Sequence, residues 1–452
     1  MEPQSARTFP QEPTLYERNR LLIKGLLIGF LILLMLIPAN LIMQLVKERA
    51  ARQQQVISEV SSKWGQSQTL AGPYIIVPYT IVTDSVNGKA RTIRKEAHFL
   101  PDVLDIKGDM QPEVRGRSTY DVILYRATLA VTGRFNPLPV ADLGIRPDQV
   151  AWNEARLVFN LSDASGLQDD VSLRLNESGA ALTLQSANTE TGGMPANTLS
   201  VPIQLNPGAA NTFSMAVKLR GSQDLSFAPM GRSTTATITS PWKSPSSIGS
   251  YLPNTSTPYS NGFTANWHIL QASRPYPQAW KDGTPDFRSH TFGTRLIQPA
   301  DSYAKTERSV KYAILFIALT FIVFFFIELL QRRQVHPLQY LLVGFALCVF
   351  YTLLLSISEY TGFDLAYLIA AICTVALIGL YVQSIFHSGK TALGFTSALS
   401  TLYGYIYIII RLEDTALLAG SIGLFIILAI IMYFSRKIDW YNPGRQKTIA
   451  GA

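Results

Sequence analysis

The sequence predicts a membrane protein with six transmembrane α-helices, one before and five after a large exported antiparallel β-sandwich. Three observations carry that prediction. Only 15% of the 452 residues are charged, against about 25% in an average soluble protein, while 48% are hydrophobic. The charge-free runs fall in one early stretch and in the last third of the chain. Between them, residues 47–308 hold 26 Lys/Arg and 22 Asp/Glu, the balance of an ordinary soluble domain. The low charge excludes a disordered chain, and two cysteines exclude a disulfide framework.

Residues 1–25 read as a cytoplasmic N-terminus. Leu26 to Val46 then runs 21 residues without a charge, after Arg18, Arg20 and Lys24. A cleaved signal has an apolar core of about 7–15 residues and a small-residue cleavage site. This run is longer and leads straight into Lys47-Glu48-Arg49, so residues 26–46 read as an uncleaved signal anchor. Val46 to Trp64 continues without Gly or Pro, which predicts that the same helix extends as a stalk.

From Gly72 the hydrophobic period shifts to two. Strands are expected at Tyr74–Tyr79, Thr119–Phe135, Arg156–Leu161, Val171–Leu175, Leu199–Leu205, Thr212–Leu219, Thr234–Ile238 and Phe263–Ile269, with Gly, Pro, Asn and Asp turns between them. Residues 47–308 are thus a stalk and one β-sandwich. Gly231 to Gly262 is dominated by Ser, Thr, Pro, Gly and Asn and reads as a long irregular segment anchored by Trp242, Tyr251 and Tyr259. Long loops in compact domains are often functional. A partner contact there competes with a surface loop merely pinned by its aromatics.

Residues 309–435 read as a five-helix bundle, with spans at Val310–Leu330, Leu338–Ser358, Asp364–Phe386, Thr391–Ile410 and Thr415–Ser435. Each is close to the roughly 20 residues needed to cross the hydrocarbon core. Arg332, Arg333, Lys390 and the basic 436–452 tail fall on one side, with the N-terminal cations. The positive-inside rule then places both termini in the cytoplasm and residues 47–308 outside, which in a bacterium is the periplasm. Arg411 is the exception. The net charge of +8 is therefore a topology signal, and with no basic block or helix face it does not point to nucleic acid.

Tests for chemistry find little. The exported segment has no cysteine, and His98, His268 and His290 lack metal spacing or a nucleophile motif. His268, beside Trp267, reads as a partly buried structural histidine. Asp102, Asp105 and Asp109 lack the order of a calcium loop and read as turn acids. No phosphate-cradling glycine loop is present. No enzyme, metal or cofactor is expected. In the bundle, Glu328, His336 and Glu359 are interfacial polar candidates, with Glu328 reaching toward Arg332. Tyr403, Tyr405 and Tyr407, followed by Arg411, Glu413 and Asp414, form a cluster that suits lipid or partner contact, or an interfacial aromatic belt. Gly404 would let another helix approach.

Several runs carry a resemblance to a known family: Leu319-Thr320-Phe321 through Phe326-Ile327-Glu328, His336-Pro337-Leu338-Gln339-Tyr340, Ser358-Glu359-Tyr360-Thr361-Gly362-Phe363, Tyr403-Gly404-Tyr405-Ile406-Tyr407, Leu412-Glu413-Asp414 and Asp439-Trp440. Gln68-Thr69-Leu70-Ala71-Gly72-Pro73, Pro229-Met230-Gly231 and Gly262-Phe263-Thr264-Ala265-Asn266-Trp267 extend it through the exported segment. The chain resembles the CreD family of bacterial inner-membrane proteins over nearly its whole length. It departs from the family pattern at Arg411, often Gln, at Thr415, often Tyr, and at Asp364, usually a small apolar residue.

The resemblance implies an inner-membrane protein of cell-envelope integrity, in a two-component regulon and linked to tolerance of envelope-directed agents such as colicins and β-lactams, with no enzymatic activity. The expected partners are membrane lipid and an envelope or periplasmic protein. A transporter or lipid-handling role for the bundle is the alternative function, and a membrane-anchored periplasmic hydrolase the third.

Overall fold

The computed structural model describes residues 15–83, 91–176, 179–187, 197–281, 283, 285–297, 302–331, 333–412 and 415–436. The chain forms two compact units, Met1–Arg52 with Ala300–Ala452, and Gln53–Pro299.

Helix α1 (Leu15–Trp64) is one uninterrupted helix of 50 residues that includes Pro38, so the anchor and stalk are continuous. It is followed by β1 (Gln68–Thr83), β2 (Arg91–Phe99), β3 (Val103–Arg117), β4 (Tyr120–Phe135), β5 (Arg156–Leu161) and β6 (Ser172–Leu175). Next come β7 (Ala181–Thr183), β8 (Gln185–Ala187), β9 (Asn197–Pro202), β10 (Asn211–Ser222), β11 (Asp224–Phe227) and β12 (Ser233–Ser240). β13 (Pro245–Gly249), β14 (Thr255–Tyr259), β15 (Gly262–Leu270), β16 (Ala279–Trp280) and β17 (Phe292–Leu296) complete the strands.

These strands make two sheets. One runs β13-β17-β11-β1-β5-β9-β8, with β2 on β1 and β16 on β2; the other runs β14-β15-β12-β3-β4-β10-β6-β7. Along β10, Asn211, Phe213, Met215, Val217 and Leu219 are buried while the residues between Asn211 and Leu219 are exposed, the pattern of a sheet with one covered face. Both sheets contribute to a single core, with Tyr74, Phe159 and Leu225 from one and Leu104, Val131, Phe213 and Ala236 from the other.

The sandwich is mixed rather than antiparallel. β1 pairs β11 in parallel over Gln68–Leu70, and β12 pairs β3 in parallel over Ser233–Thr239. Period-two patterning gives a strand its buried face but not the direction of its neighbour, and these partners lie more than a hundred residues apart. β3 itself is a long strand through Asp105 and Asp109. Those acids occupy its outer face, while Leu104, Ile106 and Met110 point inward, so they are not turn residues. Asp105 accepts from Thr235 Oγ1 at 2.7 Å, and Asp102 joins Arg232 at 3.0 Å.

The other unit holds α2 (Ser302–Lys311), α3 (Ala313–Gln331), α4 (Pro337–Thr361), α5 (Phe363–Phe386), α6 (Gly389–Arg411) and α7 (Ala416–Ser435). With α1, six helices among the described residues are long and apolar enough to cross a membrane. α2 is additional: a ten-residue polar helix that buries Tyr303, Thr306, Ser309 and Val310 on one face. On α1, Ile28, Leu31, Met35, Ala39, Ile42 and Val46 form a buried stripe at helical spacing, while Leu26, Phe30, Leu33, Ile37, Leu41 and Leu45 are exposed. Gly344 of α4 admits this stripe: a Cβ there would lie 2.7 Å from Met35 Sδ.

Candidate functional site

Gly231 to Gly262 is not a long loop. It contains β12, inside one sheet, then β13 at the edge of the other sheet and β14 at the edge of the first. Threonine favours strands, and proline is tolerated at sheet edges, so beyond the expected strand at Thr234–Ile238 this Ser/Thr/Pro-rich run hid two more. Its aromatics are pins. Trp242 Nε1 donates to the Ile297 carbonyl at 3.0 Å, Tyr251 Oη to that of Ser273 at 3.0 Å, and Tyr259 Oη to that of Ser240 at 3.1 Å. Burial raises the Tyr251 hydroxyl above its ordinary pKa, with the Arg274 charge opposing. What stays open is β14, all five residues of which are exposed.

The tyrosine cluster on α6 divides three ways. Tyr403 is buried among Phe316, Phe350 and Tyr367, with ring centroids 4.6, 4.8 and 6.3 Å away. Its carbonyl accepts from Tyr367 Oη at 2.8 Å. Tyr405 points to α7, its hydroxyl shared between the carbonyls of Ala419 at 3.0 Å and Gly420 at 3.3 Å. Tyr407 Oη donates to Asp364 Oδ1 at 3.0 Å, and Arg411 Nη2 pairs with Asp364 Oδ2 at 3.0 Å. Asp364 of α5 and Arg411 of α6 therefore meet one another. Glu413 and Asp414 lie outside the described residues. Gly404 faces open space, and the glycine that admits a neighbour is Gly423, where a Cβ would sit 1.8 Å from Tyr405 Oη.

Two polar clasps hold α1 in its bundle. Glu328, buried near the end of α3, accepts from Lys24 Nζ, from the Val335 amide at 2.9 Å and from Tyr340 Oη at 2.9 Å. Its cation is thus Lys24, 304 residues away, where the sequence suggested Arg332; the latter lies outside the described residues. Neighbouring charges in sequence are easy to read, whereas a partner delivered by helix packing is not. At the other clasp Glu359 accepts from Tyr303 Oη at 2.9 Å and lies 3.9 Å from Arg49 Nε. Lys24 and Arg49 are 25 residues apart on α1, about 37 Å at 1.5 Å per residue, which brackets a hydrocarbon core about 30 Å thick. His336 is the N-cap of α4: its Nδ1 accepts from the Leu338 amide at 3.2 Å and its own amide donates to Gln339 Oε1 at 3.1 Å.

Three features escaped the sequence reading. The first is a groove of about 690 Å³ between α3, α6 and α7, lined by residues such as Val323, Ile327, Ala398, Leu402, Ile427 and Ile430. The second is Trp64 at the end of the stalk, which carries the guanidinium groups of Arg115, Arg220 and Arg126 at 4.1, 4.6 and 5.5 Å from its ring centroid. The third is His98. It is buried and stacked on Trp280 at 4.9 Å, and burial aided by the Arg156 charge depresses its pKa to about 4. His268, in contrast, is exposed and lies 3.5 Å from Ser233 Oγ, so the buried structural histidine is His98. Among the described residues no three His, Cys, Asp or Glu side chains gather as a metal set.

Comparison with known proteins matches residues 20–441 to the family model described as inner membrane protein CreD. The inner membrane protein CreD of Escherichia coli (strain K12) is 33% identical over 421 residues, 91% of each chain. A solved M1 zinc metallopeptidase mutant from Deinococcus radiodurans aligns over 38% of this chain and 39% of its own at 14% identity, but its TM-score of 0.18 is too low to bear on this fold.

Proposed function

Because the chain belongs to the CreD family of inner membrane proteins, we propose that it supports cell-envelope integrity without catalysis, through contacts of an exported sandwich with an envelope component or protein partner. In this reading both termini are cytoplasmic and residues 47–308 are periplasmic. Lys24, Arg333 and Lys390 at one end of the bundle support that orientation. Cysteines introduced at Gly88 and Gly389, in a background lacking Cys348 and Cys373, should be labelled from outside and inside respectively. The reverse pattern overturns the orientation.

The observation that carries the partner reading is the pair of edge strands β13 and β14, both supplied by the segment between β12 and β15. An edge strand presents unpaired backbone groups and is a common seat for an added strand or loop. Pro245 and Pro258 each remove a donor, which limits unspecific pairing and leaves side chains to select the partner. Deleting Gly231 to Gly262 would remove the interior strand β12, so the sharper test is Thr255→Lys with Thr257→Lys on exposed β14. The expected result is unchanged folding with loss of tolerance to envelope-directed agents in cells. Full tolerance would sink the β14 contact.

A second reading, in which the bundle handles lipid, is supported by the groove between α3, α6 and α7. Flux of labelled phospholipid in vesicles reconstituted with the protein tests it.

A further inference from the structure

We infer that the groove between α3, α6 and α7 is a binding site for one acyl chain of an anionic phospholipid, with its headgroup at the Gln331–Thr391 end. The inference takes its location from the lipid reading of the bundle and holds whether or not the lipid is moved. Three properties set this groove apart from an ordinary lipid-facing surface. A contact between helices bounds it at each end, it runs at least the depth of one bilayer leaflet, and the cations Lys390 and Arg333 stand at its Gln331–Thr391 end.

α7 stands away from its neighbours: only 6% of its apolar window is buried, against 33–50% for α3 to α6. Its tether is Tyr405, whose ring fills the space that Gly423 leaves and whose hydroxyl reaches the α7 backbone. That contact closes one end. At the other, Gln331 Nε2 donates to Thr391 Oγ1 at 2.8 Å, a polar bridge between α3 and α6. Between Thr391 and Tyr405 α6 advances 14 residues, about 21 Å at 1.5 Å per residue, and one leaflet of a core about 30 Å thick needs about 15 Å. The volume of about 690 Å³ lies within the roughly 300–1,000 Å³ of small-ligand sites.

The walls between these ends are Leu, Ile, Val, Phe, Ala and Gly, with hydroxyls only at Thr320 and Thr401, so a polar solute would lose its hydration without replacement. An acyl chain loses nothing. Charge complementarity then selects the headgroup. Exposed Lys390 adjoins Thr391 at the N-terminal end of α6, where the helix dipole also favours an anion. Arg333 lies at the same end, bound through Nη1 to the Ile385 carbonyl at 3.3 Å. Glu328 is engaged by Lys24, so its charge is offset there.

The test uses the full chain in nanodiscs of equal phosphatidylglycerol and phosphatidylethanolamine, released into a mild detergent and weighed by native mass spectrometry. The wild type should retain one phospholipid per chain, enriched in phosphatidylglycerol. Gly394→Leu with Ala398→Leu fills the groove from an exposed helix face, and Gly394 has no atom within 4 Å of an added Cβ, so folding should persist. Retained lipid should fall at least tenfold. Lys390→Gln should keep the lipid but lower the phosphatidylglycerol preference severalfold. Equal retention in the filled variant, no retained lipid in the wild type, or a dimer that the filling substitutions dissociate would each overturn the site. Lipid retention without flux in vesicles leaves this site standing and removes the transport reading alone.

Discussion

The two units of this chain economise on polar contacts in opposite ways. In the bundle, the polar contacts that bind α1 gather in two clasps, Lys24 with Glu328 and Arg49 with Glu359, while the stripe between them is apolar. In the sandwich, polar contacts are spread over many exposed pairs such as Arg232 with Asp102 and Arg295 with Asp224, around an apolar core rich in aromatic rings. Lipid offers no alternative partner to a buried charge, whereas water does at a sheet surface. Loss of one polar group should therefore cost much in the bundle and little on the sandwich surface.

Glu328→Ala gives the largest effect. It takes the carboxylate from the Lys24 ammonium, the Tyr340 hydroxyl and the Val335 amide, and breaking a buried pair from one side costs about 3–5 kcal/mol. Thermal unfolding of the full chain in nanodiscs should show a large drop in midpoint. The paired Lys24→Met and Glu328→Met variant should recover most of it. Failure to recover would mean that hydrogen bonding by Glu328, rather than charge pairing, holds α1.

Next is His98, a buried histidine inside the sandwich. Its folded pKa of about 4 lies below the ordinary value of 6.5, so the unfolded chain takes up a proton that the folded chain refuses. The stability that follows is complete above pH 6.5 and is lost as pH falls from 6.5 toward 4, by on the order of 3 kcal/mol at most. Five of the six tryptophans, Trp64, Trp152, Trp242, Trp267 and Trp280, lie in the Gln53–Pro299 unit, so tryptophan fluorescence during denaturant unfolding reads mainly this unit. His98→Phe should preserve the stack on Trp280 and flatten the acid limb between pH 6.5 and 4. An unchanged limb would move the acid sensitivity to other groups.

The same contrast explains what could be read from the sequence. Every span of the bundle is visible, because a run of about 20 apolar residues has few other uses. α2 is not visible, since a short amphipathic helix next to a span looks like a flank. In the sandwich, β10 and β15 announce themselves by alternation, but the parallel pairings of β1 with β11 and of β12 with β3 depend on contacts between distant segments. β14 carries no alternation because both its faces are exposed. Among the candidate residues, the aromatic pins Trp242 and Tyr251 were legible as anchors, whereas the partner of Glu328 was not. Nor was the groove, which arises from the stance of α7 rather than from any motif.

Trp64 tests the sandwich side at intermediate size. Three guanidinium groups over one ring at about 0.5–1 kcal/mol each, reduced by their solvent exposure, suggest that Trp64→Ala costs about 2 kcal/mol. Trp64→Phe should recover part of it, because the weaker ring still receives the arginines. If both variants unfold like the wild type, the cluster does not tie the stalk to the strands that carry Arg115, Arg126 and Arg220.

The smallest effect belongs to the ion pair between α5 and α6. Asp364 and Arg411 are both about half exposed, and exposed ion pairs contribute about 0.2–1 kcal/mol. Neither residue alone has a reason to be charged at the end of an apolar helix. Asp364→Ala leaves Arg411 without its carboxylate and frees the Tyr407 hydroxyl, and Arg411→Gln leaves Asp364 with Tyr407 alone. If the two charges compensate for each other, each single variant should lower the unfolding midpoint slightly and the double variant should return to near the wild-type value. A double variant that shows the full sum of both losses would mean that Asp364 and Arg411 contribute independently, and the ion pair would then add no coupling between α5 and α6.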